Sequence, residues 1–211
     1  MNIASLTIDE FLSRLGSSDP TPGGGALAAL SGAMAAAMLA MTCNLTLGRP
    51  RYADVEPQVH DLLGNLSASQ SRLLALANAD ADAYQGVRDA YGLPRGDESE
   101  RAARADAIER SMHTATEVPL DTLEASRRVL DLALLAARIT NTNILGDVAV
   151  AAHLALAAAR GAADQARLNL ASLHDGDFAA SMESRLDTAL DGSAGLVENT
   201  LEAIASRTAR A

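Results

Sequence analysis

An all-α fold is what this sequence predicts, a single-domain up-and-down helical bundle with long alanine-rich helices. Three observations lead there. Apolar residues make up 48% of the chain, yet aromatics are 2% and tryptophan is absent. Alanine and leucine therefore fill the core, a mix that favours closely packed helices over a β-sandwich. No segment shows convincing period-two alternation. Capping residues, prolines and glycines mark helix starts and stops along the whole chain.

The elements follow in order. Thr7 is a plausible N-cap for a short helix over 8–15. Residues 16–23 form a loop, and an alanine-rich helix runs over 24–47. A turn through 48–54 leads into a long helix over 55–91, with Pro57 tolerated in its first turn. GLPRGD is the next turn. A helix starts near Glu98 and meets Pro119, where a break or kink is expected because proline has no N–H to donate. The helical pattern resumes over 120–139, and the TNTN stretch at 140–143 is a loop of capping residues. Helix is expected again over 144–173, then a turn at 174–177 and one terminal helix reaching about Arg207.

Composition narrows the function classes. At 211 residues one domain is the default. A net charge of −10 disfavours binding to a nucleic-acid backbone, which needs clustered Lys and Arg. The single cysteine, Cys43, excludes a disulfide within the chain and reads as a buried thiol. The first residues carry no positive, signal-type leader, so a cytoplasmic location is expected. The apolar run at 25–47 is interrupted by Ser31, Gly32, Thr42, Asn44 and Thr46. It reads as the central helix of a bundle and not as a membrane span.

Four motifs could carry chemistry. Pro20, Thr21 and Pro22 lead into Gly23, Gly24 and Gly25 at a helix start. Three glycines there cost chain entropy. They are either a flexible helix entry or a loop whose bare N–H groups receive an anionic ligand. Asp147 sits in the first turn of an otherwise apolar helix. It either complements the helix dipole or faces a site beside Asn141, Thr142 and Asn143. Asp80 and Asp82 are two residues apart, so at most one points inward, and Asp82 reads as solvated. Arg49, Arg51 and Tyr52 follow a helix end, where cations are ordinary and could also recognise a carboxylate. Met34, Met38 and Met41 have core spacing. The four histidines are scattered, without a metal-ligand pattern, so no metal site is expected.

The chain resembles the cyclodeaminase/cyclohydrolase family of one-carbon folate metabolism. The resemblance rests on PTPGGG at 20–25, CNLTLGRPRY at 43–52, DADAYQGVRDAYGLPR at 80–95, ERAARADAI at 100–108, ATEVPL at 115–120, GDVAVAA at 146–152 and LNL at 168–170. These occur in the family's order and spacing over nearly the whole chain, so the resemblance implies one such domain over 1–211. It is most similar to the standalone methenyltetrahydrofolate cyclohydrolases. The departures are Pro50 within GRPRY, where the family has a lysine-rich GRKKY, Gly146 where a serine is common, and Gln165 where an asparagine is frequent.

The resemblance implies an all-helical, dimeric enzyme that hydrolyses 5,10-methenyltetrahydrofolate to 10-formyltetrahydrofolate. No cofactor beyond the folate substrate is implied, and no nucleic-acid or membrane partner. Carboxylates would deliver water to the cationic methenyl carbon and return a proton to the departing nitrogen. Asp147 is the first candidate base and Asp80 the second carboxylate. Thr21, Gly23, Gly24, Gly25, Arg49, Tyr52, Asn141 and Asn169 are the candidate substrate-binding residues. The alternatives are a formiminotetrahydrofolate cyclodeaminase, which releases ammonia, and a non-catalytic helical interaction protein. In one unbroken helix Asp147 and Asn169 lie ~33 Å apart, so a site at a subunit interface is expected.

Overall fold

Thr7 opens the first helix with a capping box: its hydroxyl accepts the Glu10 N–H, and the Glu10 carboxylate accepts the Thr7 N–H. The structure is a computed structural model and describes residues 2–209. Seven α-helices run in order among these residues: α1 (Ile8–Leu15), α2 (Gly24–Asn44), α3 (Glu56–Tyr91), α4 (Glu98–Ile139), α5 (Leu145–Leu170), α6 (Gly176–Leu190) and α7 (Ser193–Thr208). A short 3-10 turn, Pro50–Val55, joins α2 to α3.

α2 is the centre of the bundle and packs against α3, α4 and α5. Its buried positions are mostly alanine and glycine, including Ala26, Ala29, Ala33, Ala36 and Gly32. Small side chains let neighbouring backbones approach closely. At Gly32 the approach is tight enough that an added Cβ would lie 2.8 Å from the Ser126 Oγ of α4 and 3.1 Å from a Leu73 methyl of α3. Leucines and valines from α3, α4 and α5, such as Leu66, Leu73, Leu130 and Val148, complete the core around it. A second cluster, with Leu120, Leu123, Ala163 and Leu186, fixes α6 against α4 and α5. Cys43 is buried in this interior, and burial pushes its thiol up to about 11, against a smaller opposing bond with Thr42.

The structure shifts several of the boundaries read from the sequence, and at Pro119, where a break or kink is expected, it shows no break. α2 stops at Asn44 and not at Leu47, because the chain turns over the Cys43 carbonyl and Gly48 takes a φ of 70°. The terminal helix is two helices, since Gly192 takes a φ of 68° and reverses the chain between α6 and α7. α4 runs unbroken through Pro119. Pro119 cannot donate to the Ala115 carbonyl four residues earlier, but the Asn169 amide of α5 donates to it at 2.6 Å. A side chain from the neighbouring helix thus supplies the bond that proline removes.

α2 and residues 142–170 are each long and apolar enough to cross a membrane by length and composition, with only 56% and 39% of their most apolar stretches buried. The unburied parts leave large apolar side chains exposed on both helices, mixed on α5 with His153, Arg160 and Asp164. The apolar ones are Leu27, Met34 (53% exposed) and Met41 of α2, and Val150 (57%) and Leu168 (67%) of α5. Met34 and Met41, expected in the core, are exposed because α2 is apolar all round and its neighbours cover only part of it.

Replacing Gly32→Val should destabilise the chain by about 1–3 kcal/mol through overpacking against Ser126 and Leu73. Gly161→Ala, whose Cβ would meet only Ala28 at 3.9 Å, should instead stabilise by about 0.5–1 kcal/mol. Urea unfolding of both variants checks the pair, and equal stabilities would contradict the tight α2–α4 contact.

Candidate functional site

The glycine run opens α2 with no side-chain cap. One bare N–H of its first turn, that of Ala26, donates to the Asp80 Oδ2 of α3 at 2.9 Å. Asp80 can reach it only because residue 25 is glycine. A Cβ on Gly25 would lie 2.0 Å from the Asp80 Oδ1. Burial raises the Asp80 carboxyl above its ordinary range, and the Ala26 N–H offsets part of that rise. Asp82, two residues on, faces solvent as its spacing predicts.

Asp80 borders a cavity of about 350 Å³, within the size range of small-molecule sites. Thr21, Gly23, Gly24, Gly25 and Asn169 line it too, so six of the sequence-chosen residues meet in one place. The Asn169 amide nitrogen is committed to the Ala115 carbonyl, which leaves its side-chain oxygen as an acceptor for the cavity. The sequence reading missed several lining residues. Gln165 approaches Gly24 closely enough that a Cβ there would lie 3.2 Å from its Nε2. Tyr84, Val87 and Met112 complete the wall. Tyr84 and Gln165 stand four residues from Asp80 and Asn169 on the same helices, so the i, i+4 relation was the available signal.

The remaining four chosen residues lie elsewhere. Tyr52, in the turn after α2, accepts the Thr142 N–H at 3.0 Å, and its hydroxyl lies 3.4 Å from the Asn141 Oδ1. Asn141 is itself buried, donating its N–H to the Thr46 Oγ at 2.9 Å and using its Oδ1 to accept the Asn143 N–H. Asn141 is thus a strut between the α2 end and the α5 start. Arg49 and Arg51, close to Tyr52 in sequence, are exposed. Asp147 is half-buried in the first turn of α5. α5 is continuous, so Asp147 stands ~33 Å along its axis from Asn169 in the cavity. Within one chain Asp147 and Asp80 do not meet. Among the described residues no group of three or more His, Cys, Asp or Glu side chains could hold a metal ion.

Replacing Gly25→Ala should push the Asp80 carboxylate off the Ala26 N–H and leave the bundle folded, visible as a changed Asp80 titration by NMR with an unchanged helical signal. Asn169→Leu should cost about 1–3 kcal/mol by orphaning the Ala115 carbonyl. Pro119→Ala in the Asn169→Leu background should recover stability by restoring the helix donor, which chemical denaturation of the two variants would show.

The family profile described as formiminotransferase-cyclodeaminase matches residues 7–188. A methenyltetrahydrofolate cyclohydrolase of Methylorubrum extorquens is 39% identical over 95% of this chain and 97% of its own length. The formimidoyltransferase-cyclodeaminase of Mus musculus is 29% identical over 92% of the chain, which spans 36% of that longer protein. The crystal structure of a formiminotetrahydrofolate cyclodeaminase from Thermotoga maritima superposes with a TM-score of 0.86, covers 98% of this chain and 99% of its own, and is 25% identical. Sequence and fold agree with the glycine-loop cavity in placing this chain in the formiminotransferase-cyclodeaminase family.

Proposed function

We propose that the chain hydrolyses 5,10-methenyltetrahydrofolate to 10-formyltetrahydrofolate. The observation that carries this reading is Asp80, a carboxylate of raised pKa held by one backbone N–H at the edge of a small cavity. The cyclohydrolase relative supports the substrate, being 39% identical to this chain where the cyclodeaminases of Mus musculus and Thermotoga maritima are 29% and 25% identical.

In the reaction, water adds to the methenyl carbon between N5 and N10. Asp80 is placed to take the proton lost by that water. The carbon becomes tetrahedral, its bond to N5 breaks, and Asp80 returns the proton to N5. The hydroxyl proton left on the carbon goes to solvent as the formyl group forms on N10, so the cationic charge of the substrate leaves as one proton. A carboxylate also stabilises the cationic ground state, so its catalytic gain must come from orienting water. The bare N–H groups of Gly24 and Gly25, with Asn169 and Gln165, are suited to the polar edge of the pterin.

The proposal includes a homodimer across α2 and α5. An antiparallel copy docked there brings the Arg49, Tyr52, Asn141 and Asp147 end of one chain to the Asp80 cavity of the other. That arrangement removes the ~33 Å separation along α5 and covers Met34 and Val150. Asp147 would then be the second carboxylate and Arg49 the cation for the glutamate end of the folate.

Decay of the methenyl absorbance, assayed beside ammonia release from the 5-formimino substrate, decides between this reading and a cyclodeaminase. Asp80→Asn should lower turnover by about 100-fold or more. The same variant should be more stable at neutral pH. The folded-state pKa of Asp80 is raised, so its ionisation disfavours the folded state as pH climbs from the unfolded value through the folded one. A variant that loses stability at neutral pH would contradict a buried carboxylate held at a cost. Met34→Glu with Val150→Glu should give a monomer by light scattering and abolish turnover; an active monomer would remove the shared site.

A further inference from the structure

Gln165 and Asn169 stand one turn apart on α5, and both line the Asp80 cavity. Each ends in an amide, which can turn over to offer a ligand either its oxygen or its NH2 group. Their surroundings differ. Gln165 lies against the bare backbone of Gly24 and makes no hydrogen bond to the chain among the described residues. It is free to turn over. Asn169 is held, because its Nδ2 donates to the Ala115 carbonyl at 2.6 Å. A carbonyl only accepts, so the nitrogen of Asn169 and not its oxygen must face Ala115.

Pro119 enforces that choice. In an ordinary helix the N–H of residue 119 would bond the Ala115 carbonyl, and Asn169 would be free to turn either way. Pro119 is buried within α4 and has no N–H to give. Turning the Asn169 amide over would then set its oxygen against the carbonyl, two acceptors without a hydrogen between them. The Asn169 Oδ1 accepts no bond from the chain among the described residues, so it stays at the cavity as an acceptor that cannot become a donor. Beside Gln165 the polarity is reversed. The Gly24 and Gly25 N–H groups precede the first helical bond of α2, which Leu27 makes to the Gly23 carbonyl, and they can only donate.

We propose that Pro119 is a positioning residue for ligand selection: acting through Asn169, it fixes an acceptor that takes the ring N–H of a cyclic-amide heterocycle and rejects the same ring when that nitrogen carries no hydrogen. The inference rests on the cyclohydrolase reading for the identity of the ring, the lactam edge of a reduced pterin. That edge has a carbonyl next to its N–H, and the carbonyl suits the glycine N–H groups. A 4-amino pterin reverses both groups. Its ring nitrogen sets an acceptor against Asn169, and its amino group sets a donor against the glycine N–H groups. Gln165, free to turn over, serves either ring.

Calorimetry with 5-formyltetrahydrofolate and its 4-amino counterpart reads this selection without turnover. The chain should bind the 4-oxo ligand on the order of 10-fold more tightly, or better. Pro119→Ala restores the backbone donor, and it should cut that ratio by roughly threefold or more. Gln165→Leu should weaken both ligands and leave the ratio in place. A merely structural Pro119 would move the thermal midpoint, or both affinities together, with the ratio unchanged. A ratio unmoved in Pro119→Ala, or lost in Gln165→Leu, overturns the selection. Without any ligand, hydrogen exchange of the Asn169 side-chain amide by NMR should be slow in the chain and faster in Pro119→Ala; equal rates overturn the hold on Asn169. Equal affinity for the two ligands overturns the selection and leaves the cyclohydrolase reading standing. Binding of neither ligand overturns both.

Discussion

The hydrogen bond from the Ala26 N–H to the Asp80 carboxylate is the contact on which the cavity depends. It joins the start of α2 to the middle of α3, and it passes through the space a side chain at residue 25 would occupy. The same closeness removes water from the carboxylate, which is why its pKa rises in spite of the backbone donor. One geometric condition, the missing Cβ of Gly25, therefore sets the position of the carboxylate and the burial that raises its pKa. Three glycines in sequence cost chain entropy during folding, and this contact is what that cost permits.

A second constraint holds the opposite wall. Pro119 leaves the Ala115 carbonyl of α4 without a donor, and Asn169 of α5 fills the vacancy. Ala115, Asn169 and Gln165 all line the cavity, so the compensation for a helix-interior proline also fixes an amide at the site. A buried carbonyl that needs a partner orients Asn169 more firmly than packing alone would. The same logic recurs at the other end of the bundle. There Asn141 spends its N–H on Thr46, the Ala137 carbonyl is left over, and Arg207 takes it. In both places a helix bond withheld by the backbone recruits a polar side chain from a neighbouring helix.

These two polar ends are held apart by the rigidity of α5, an unbroken helix of 26 residues. α2 and α5, the two most apolar helices, each leave large apolar side chains uncovered, Met34 and Val150 among them. The separation of the ends and the uncovered side chains are independent observations, and a second copy of the chain answers both. The shared-site proposal rests on that coincidence.

The sequence by itself determined the helical class, most element boundaries and the residues of the glycine loop, because alanine-rich composition, caps and glycines act locally. Thr7, Gly48 and the GLPRGD turn could be read without any knowledge of the partners of a helix. Helical spacing also showed that at most one of Asp80 and Asp82 points inward, and the rise of a helix foresaw the distance between Asp147 and Asn169. Only the tertiary structure decided which of those residues meet. Pro119 reads as a break until Asn169 is seen donating across from α5. Met34 and Met41 read as core until the neighbours of α2 are seen to leave one side open. Arg207 carries no local signal at all, since its partner is the Ala137 carbonyl, far away in sequence. Local patterns are set by torsions and caps within a few residues, whereas a site is set by bonds between helices, and those exist only once the bundle has closed.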